Sequence, residues 1–154
     1  MVRTIIAIAA ATAAMTPIAA HASSPVQLAS DVFVERFAPL PGGGMARTLE
    51  RANRLHPGDH VVFVVNWKAA PRGDFTVTNP MPRTVAFQSS ADGAEDVSID
   101  GGRSWGQLTD LRVREADGRV RQATPEDVTH LRWRVPGASA ARGAGTMTYR
   151  GIVR

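Results

Sequence analysis

The side chains of this 154-residue chain that could carry chemistry are four histidines, a scatter of carboxylates and three tryptophans. His56 and His60 stand at i and i+4, a spacing that puts two metal ligands on one helix face, but Pro57-Gly58 between them breaks any such helix. His130 follows Glu126-Asp127 at a loop-to-strand junction, and His21 lies in an apolar leader. Glu95-Asp96 and Glu126-Asp127 are sequence neighbours; neighbours on a strand point to opposite faces, so neither pair can flank one glycosidic bond. Asp92, Asp96 and Asp100 offer oxygen ligands without the spacing of a calcium loop. There is no Gly-x-Ser-x-Gly elbow, and zero cysteine removes thiolate zinc sites, iron–sulfur clusters and thiol nucleophiles. The expectation is a chain with no catalytic, cofactor-binding or metal site. A small hydrolase assembled from His56, His60 or His130 with neighbouring acids is the last-ranked alternative.

The tightest local pattern is Ser98-Ile99-Asp100-Gly101-Gly102-Arg103-Ser104-Trp105, which fits Ser-x-Asp-x-Gly-x-x-Trp, the Asp-box of sialidase-like propellers and other β proteins. Its physics is that of a clasp: the carboxylate accepts N–H groups of the turn, glycine supplies φ > 0, and the indole covers the hairpin from one side. A propeller needs several copies, and the chain has one. Ser98, Asp100, Gly102 and Trp105 are therefore expected to build a structural hairpin. Trp105 is also the candidate ligand contact, an aromatic platform for a sugar ring, which makes a carbohydrate-binding module using a sheet face the alternative function. Trp67 closes an apolar run, and Trp133 alternates with Leu131 and Val135, so both read as core.

The elements that must position these residues are strands. Apolar residues come in short alternating runs broken by Gly, Pro, Asn and Asp, which predicts an all-β sandwich of seven to nine mostly antiparallel strands. An opening strand is expected over Val26–Val34 with an irregularity at Ser30-Asp31. Pro39 to Gly44 reads as a flexible break, and Arg47 to Arg54 as a lead into the His56-Pro57-Gly58-Asp59 turn. Val61 to Trp67 is continuous and β-branched, the mark of a central strand buried on both faces. Further strands are expected at Phe75–Thr78, Val85–Phe87, Val97–Ile99, Leu108–Arg114, Val128–Val135 and Thr146–Val153. Ala116-Asp117-Gly118 is a hairpin turn signal, and Thr124-Pro125-Glu126-Asp127 caps a short helical turn.

Met1-Val2-Arg3, the apolar run Thr4 to Met15 and the small-x-small site Ala20-His21-Ala22 read as a signal peptide over residues 1–22, leaving one domain at 23–154. The apolar run, about a dozen residues, is too short for a bilayer core of roughly 30 Å. No later run exceeds Val61–Val65, so no membrane span is expected after cleavage. The product is exported, periplasmic or extracellular. Of 18 basic residues only Lys68 is lysine, against 14 acids. Arg112, Arg114, Arg119, Arg121, Arg132 and Arg134 alternate as on a solvated strand face rather than clustering with aromatics, so a nucleic-acid partner is not expected.

Leu55-His56-Pro57-Gly58-Asp59, the strand ending at Asn66, Asn79-Pro80-Met81-Pro82, Asp100-Gly101-Gly102, Trp133 and Tyr149-Arg150-Gly151-Ile152-Val153 occur in an order that resembles the bacterial conserved-repeat domain of unknown function found in secreted and cell-surface proteins. The resemblance spans about residues 26–154. It implies an immunoglobulin-like sandwich serving as a structural or adhesive module without catalytic residues. Relatives of that kind are often tandem arrays with surface anchors, whereas this chain carries one copy, and the connection Lys68 to Gly73 is shortened. The expected function is a non-enzymatic structural or protein-interaction module of the bacterial envelope, with another envelope protein or a glycan as partner.

Overall fold

The structure, a computed structural model, describes residues 26–68 and 73–154; the leader at 1–22 and most of the shortened connection lie outside the described residues. Ten strands run in chain order: β1 (Gln27–Pro39), β2 (Met45–Arg51), β3 (His60–Lys68), β4 (Phe75–Pro80), β5 (Val85–Ser90), β6 (Asp96–Ser98), β7 (Arg112–Arg114), β8 (Val120–Gln122), β9 (His130–Val135) and β10 (Ala144–Val153). A five-stranded sheet, β2-β1-β3-β10-β5, packs over a three-stranded one, β4-β9-β6, and every pairing is antiparallel. The β7-β8 hairpin stands apart from both sheets. The all-β sandwich read from the sequence is the architecture the chain adopts.

The period-two pattern of β3 sets the core. Val61, Phe63, Val65 and Trp67 face inward, where they meet Met147, Tyr149 and Val153 of β10, Val85 and Phe87 of β5, and Val77, Val97, Leu131, Trp133 and Val135 of the smaller sheet. On the opposite face Val62 is also buried and Val64 half-buried, so the reading of β3 as covered on both sides holds along its first half. Gly145 sits opposite Trp67, where the indole lies flat across the backbone; a Cβ there would stand 2.5 Å from the ring.

Three boundaries differ from the sequence reading. β1 runs unbroken through Ser30-Asp31, which pair with Val65 and Val64 of β3, because Asp31 turns to solvent and binds Arg51 at 2.5 Å instead of interrupting the ladder. Arg47 to Arg54 begins inside a strand: β2 forms a hairpin with β1 around Gly42, Gly43 and Gly44, all with φ near +95°, and its polar sequence hid it because most of the strand is solvent-exposed. Leu108 to Arg114 splits into a 3-10 turn at Leu108–Asp110 and β7, closed by the Gln122 amide donating to Leu108 and Thr109 oxygens. β2 and β8, neither of them among the expected strands, bring the count to ten from the expected seven to nine. The turn at Thr124 forms as read, with the Asp127 carboxylate accepting the Thr124 N–H at 2.8 Å.

Candidate functional site

The Asp-box loop grows out of the end of β6. Ser98 is wholly buried; its hydroxyl donates to Asp100 Oδ1 at 2.8 Å and accepts the Gly102 N–H at 2.8 Å. Asp100 Oδ1 also accepts the N–H groups of Arg103 (3.0 Å) and Ser104 (2.9 Å), while Oδ2 takes the Ser104 hydroxyl at 2.6 Å. The Ser104 hydroxyl and N–H, then Ser98, hold the Asp100 carboxyl well below the usual carboxylate range. Gly101 and Gly102 take φ of +78° and +88°, which the turn requires, and Trp105 Nε1 donates to the Gly102 oxygen at 3.0 Å. All four residues singled out in the sequence, Ser98, Asp100, Gly102 and Trp105, thus meet in one closed clasp. Four hydrogen bonds from its own loop, three on Oδ1 and one on Oδ2, hold the carboxylate in the turn.

Thr129 fastens this clasp to β9. Its N–H (2.8 Å) and hydroxyl (3.0 Å) both donate to the Ser98 oxygen, and its Oγ1 accepts the Gly101 N–H at 3.1 Å. His130 Nδ1 lies 3.1 Å from the same Oγ1. That contact ties the imidazole to the clasp through Nδ1. His56 is exposed in the turn before β3, with its Nδ1 3.6 Å from Asp59 Oδ2, and His60 is exposed at the first position of β3. Among the described residues no three His, Asp or Glu side chains converge as a metal site would require. The acid pairs go to structure: Glu95 accepts from Ser90, Asp96 binds Arg132 at 2.7 Å, and Asp127 binds Arg121 through both oxygens at 2.6 and 2.8 Å. Trp105 is half-buried, with the Arg132 guanidinium 4.5 Å above its ring and His130 at its edge, so a sugar stacked on that face must first displace Arg132.

A second feature has no counterpart in the sequence reading. Beyond Val34, the last residue paired with β3, β1 continues to Pro39 with β2 as its sole strand partner, extending roughly 16 Å at about 3.3 Å per residue. Phe37, Leu49 and Met45 share one face of this ribbon and Leu40 stands at its turn; they are 56%, 46%, 59% and 49% exposed. At the root of that face Glu35 is buried, its Oε1 lying 2.8 Å from Arg47 Nη2 and 3.5 Å from Arg150 Nε, both approaching off the hydrogen-bond axis. Phe37 and Pro39 ahead of Pro41-Gly42-Gly43-Gly44 are the signal that could have revealed the turn, while Met45 and Leu49, with Arg47 between them, do not alternate. No family model, curated protein or solved structure matches the chain.

Proposed function

We propose that this chain is an exported, non-enzymatic interaction module of the bacterial envelope that docks a partner protein through the β1–β2 arm. The observation that carries the reading is the exposed apolar side chains of the arm, Phe37, Met45 and Leu49 on one face around Arg47 with Leu40 at the turn, on a ribbon that belongs to the edge of the larger sheet. Contiguous exposed apolar surface marks interaction sites, and a lone two-stranded ribbon is marginal in water until something covers it. The outer edge of β2 adds unpaired backbone donors and acceptors, so the fitting partner is a protein segment that enters as an extended strand with alternate apolar side chains. The apolar leader at residues 1–22 supports export. The likeness to the conserved-repeat domain supports an immunoglobulin-like structural or adhesive role. No helix among the described residues is long and apolar enough to cross a membrane.

The test is a photo-crosslinking amino acid placed in turn at Phe37, Met45 and, as a control on the detached hairpin, Arg112, in cells of the native host. One protein crosslinked from Phe37 and Met45 but not from Arg112, with its yield lowered by Leu49→Ser, is the expected result. Crosslinks that are equal at all three positions, or absent from the arm, overturn the reading.

A further inference from the structure

The end of the sandwich from which the arm departs also holds a groove of about 600 Å³ that neither the Asp-box clasp nor the arm occupies. It forms where the Asn79-Pro80-Met81-Pro82 turn, the Gly101 loop, the 3-10 turn at Pro125–Asp127 and the end of β10 come together. Met81 N–H donates to Thr129 O at 2.8 Å, and Arg154 N–H donates to Thr84 O at 2.8 Å. Met81 and Val128, both buried, make an apolar floor. Arg83 and Arg154 line it, and Arg154 Nη2 is fixed by donation to the Arg83 oxygen at 2.8 Å. Among the described residues the ion pairs engage seven other arginines; the Arg83 and Arg154 guanidiniums have no side-chain carboxylate within 4.0 Å, and Arg154 acts on Glu126 from farther away. His130 enters the groove with Nδ1 committed to Thr129, and Glu126 stands in the same lining.

We propose that this groove binds the carboxylate end of a peptide. The arginines receive the terminal carboxylate, Met81 and Val128 the last apolar side chain, and Glu126 a backbone N–H one or two residues back. Charge and floor together select that class. Two guanidiniums outside the ion pairs call for an anion, and the buried Met81 and Val128 beside them call for an apolar side chain, which a peptide carboxylate carries and a free phosphate lacks. The floor has no aromatic platform for a sugar, and the volume suits a tripeptide. The inference is independent of the arm, since the groove's ligand is a chain terminus and the arm's is an internal strand.

Titration of the full domain with N-acetyl-Leu-Ala-Leu, read by isothermal calorimetry, tests it against the same peptide as its C-terminal amide and against inorganic phosphate. The acid is expected to bind at least ten-fold tighter than the amide. Arg83→Gln should reduce that affinity about ten-fold with an unchanged melting temperature, because the side chain is exposed. Equal binding of acid and amide, binding indifferent to Arg83→Gln, phosphate binding as tight as the acid in the unmodified domain, or no heat up to millimolar peptide each overturns the proposal.

Discussion

Tyr149, the one tyrosine of the chain, lies at the centre of the sandwich, stacked on Phe63 at 4.6 Å with the ring planes 3° apart and tilted against Trp133 at 6.0 Å. Burial pushes its phenol well above the ordinary value, partly offset by the Asn79 amide, which donates to the hydroxyl at 2.9 Å. That bond crosses from the smaller sheet to the larger, which gives the asparagine of the Asn-Pro-Met-Pro turn a physical task. Removing either partner is not symmetric. Asn79→Ala leaves a buried hydroxyl without its donor and is expected to cost about 1–3 kcal/mol, whereas Tyr149→Phe frees an amide that is already half-exposed and should cost about 0.5–1.5 kcal/mol. Urea denaturation of the two variants and their double mutant checks this. The double mutant should be no less stable than Asn79→Ala alone, and a reversed order of the single variants would show that the hydroxyl finds another partner.

Among the elements, β3 and β10 are joined along nine residue pairs, and Gly145 is where their packing is closest. Alanine there drives its methyl into the Trp67 indole, a rigid ring itself in edge contact with Phe75, so the strand or the ring must move. Gly145→Ala is expected to destabilise the domain by about 1–3 kcal/mol and to alter near-UV dichroism. Alanine at Gly43, where nothing stands within 4 Å, costs only the strain of a positive φ, roughly 1–2 kcal/mol. If the two variants differ little, the indole is not held across Gly145. These elements were unequally legible in the sequence. β3 announced itself because consecutive β-branched residues mean burial on both faces, and the Asp-box because its residues bond to one another within eight positions. β2 did not, because its largely exposed Met-Ala-Arg-Thr-Leu-Glu-Arg carries no pattern of burial. Nor did the groove, whose lining comes from segments up to 74 positions apart, Pro80 to Arg154, and depends on how the sheets close at one end.

At the scale of the whole molecule, a chain without cysteine must keep its fold through the core alone, and that core is not spread evenly. β3 and β10 are each paired on both sides and carry buried side chains at alternate positions, so their central amides can exchange only when the sandwich opens as a whole. The arm beyond Val34 has one ladder and exposed apolar side chains, and β7-β8 is a short ladder tied down by the Gln122 amide and by Arg121 to Asp127. Both can open without disturbing Tyr149 or Trp133. Hydrogen exchange followed residue by residue should therefore separate into two groups. Amides such as those of Phe63, Val65 and Tyr149 should be protected by the full unfolding free energy, about 5–15 kcal/mol, and the ladder amides of the arm, Arg36, Ala38, Ala46 and Thr48, by less than about 2 kcal/mol. Guanidinium at low concentration should accelerate only the first group, since global opening exposes far more surface than fraying of a ribbon. Protection of Ala46 and Thr48 equal to that of Phe63 would mean that the arm belongs to the cooperative core. The expected gap instead leaves the arm able to reshape around a partner strand while the sandwich stays closed.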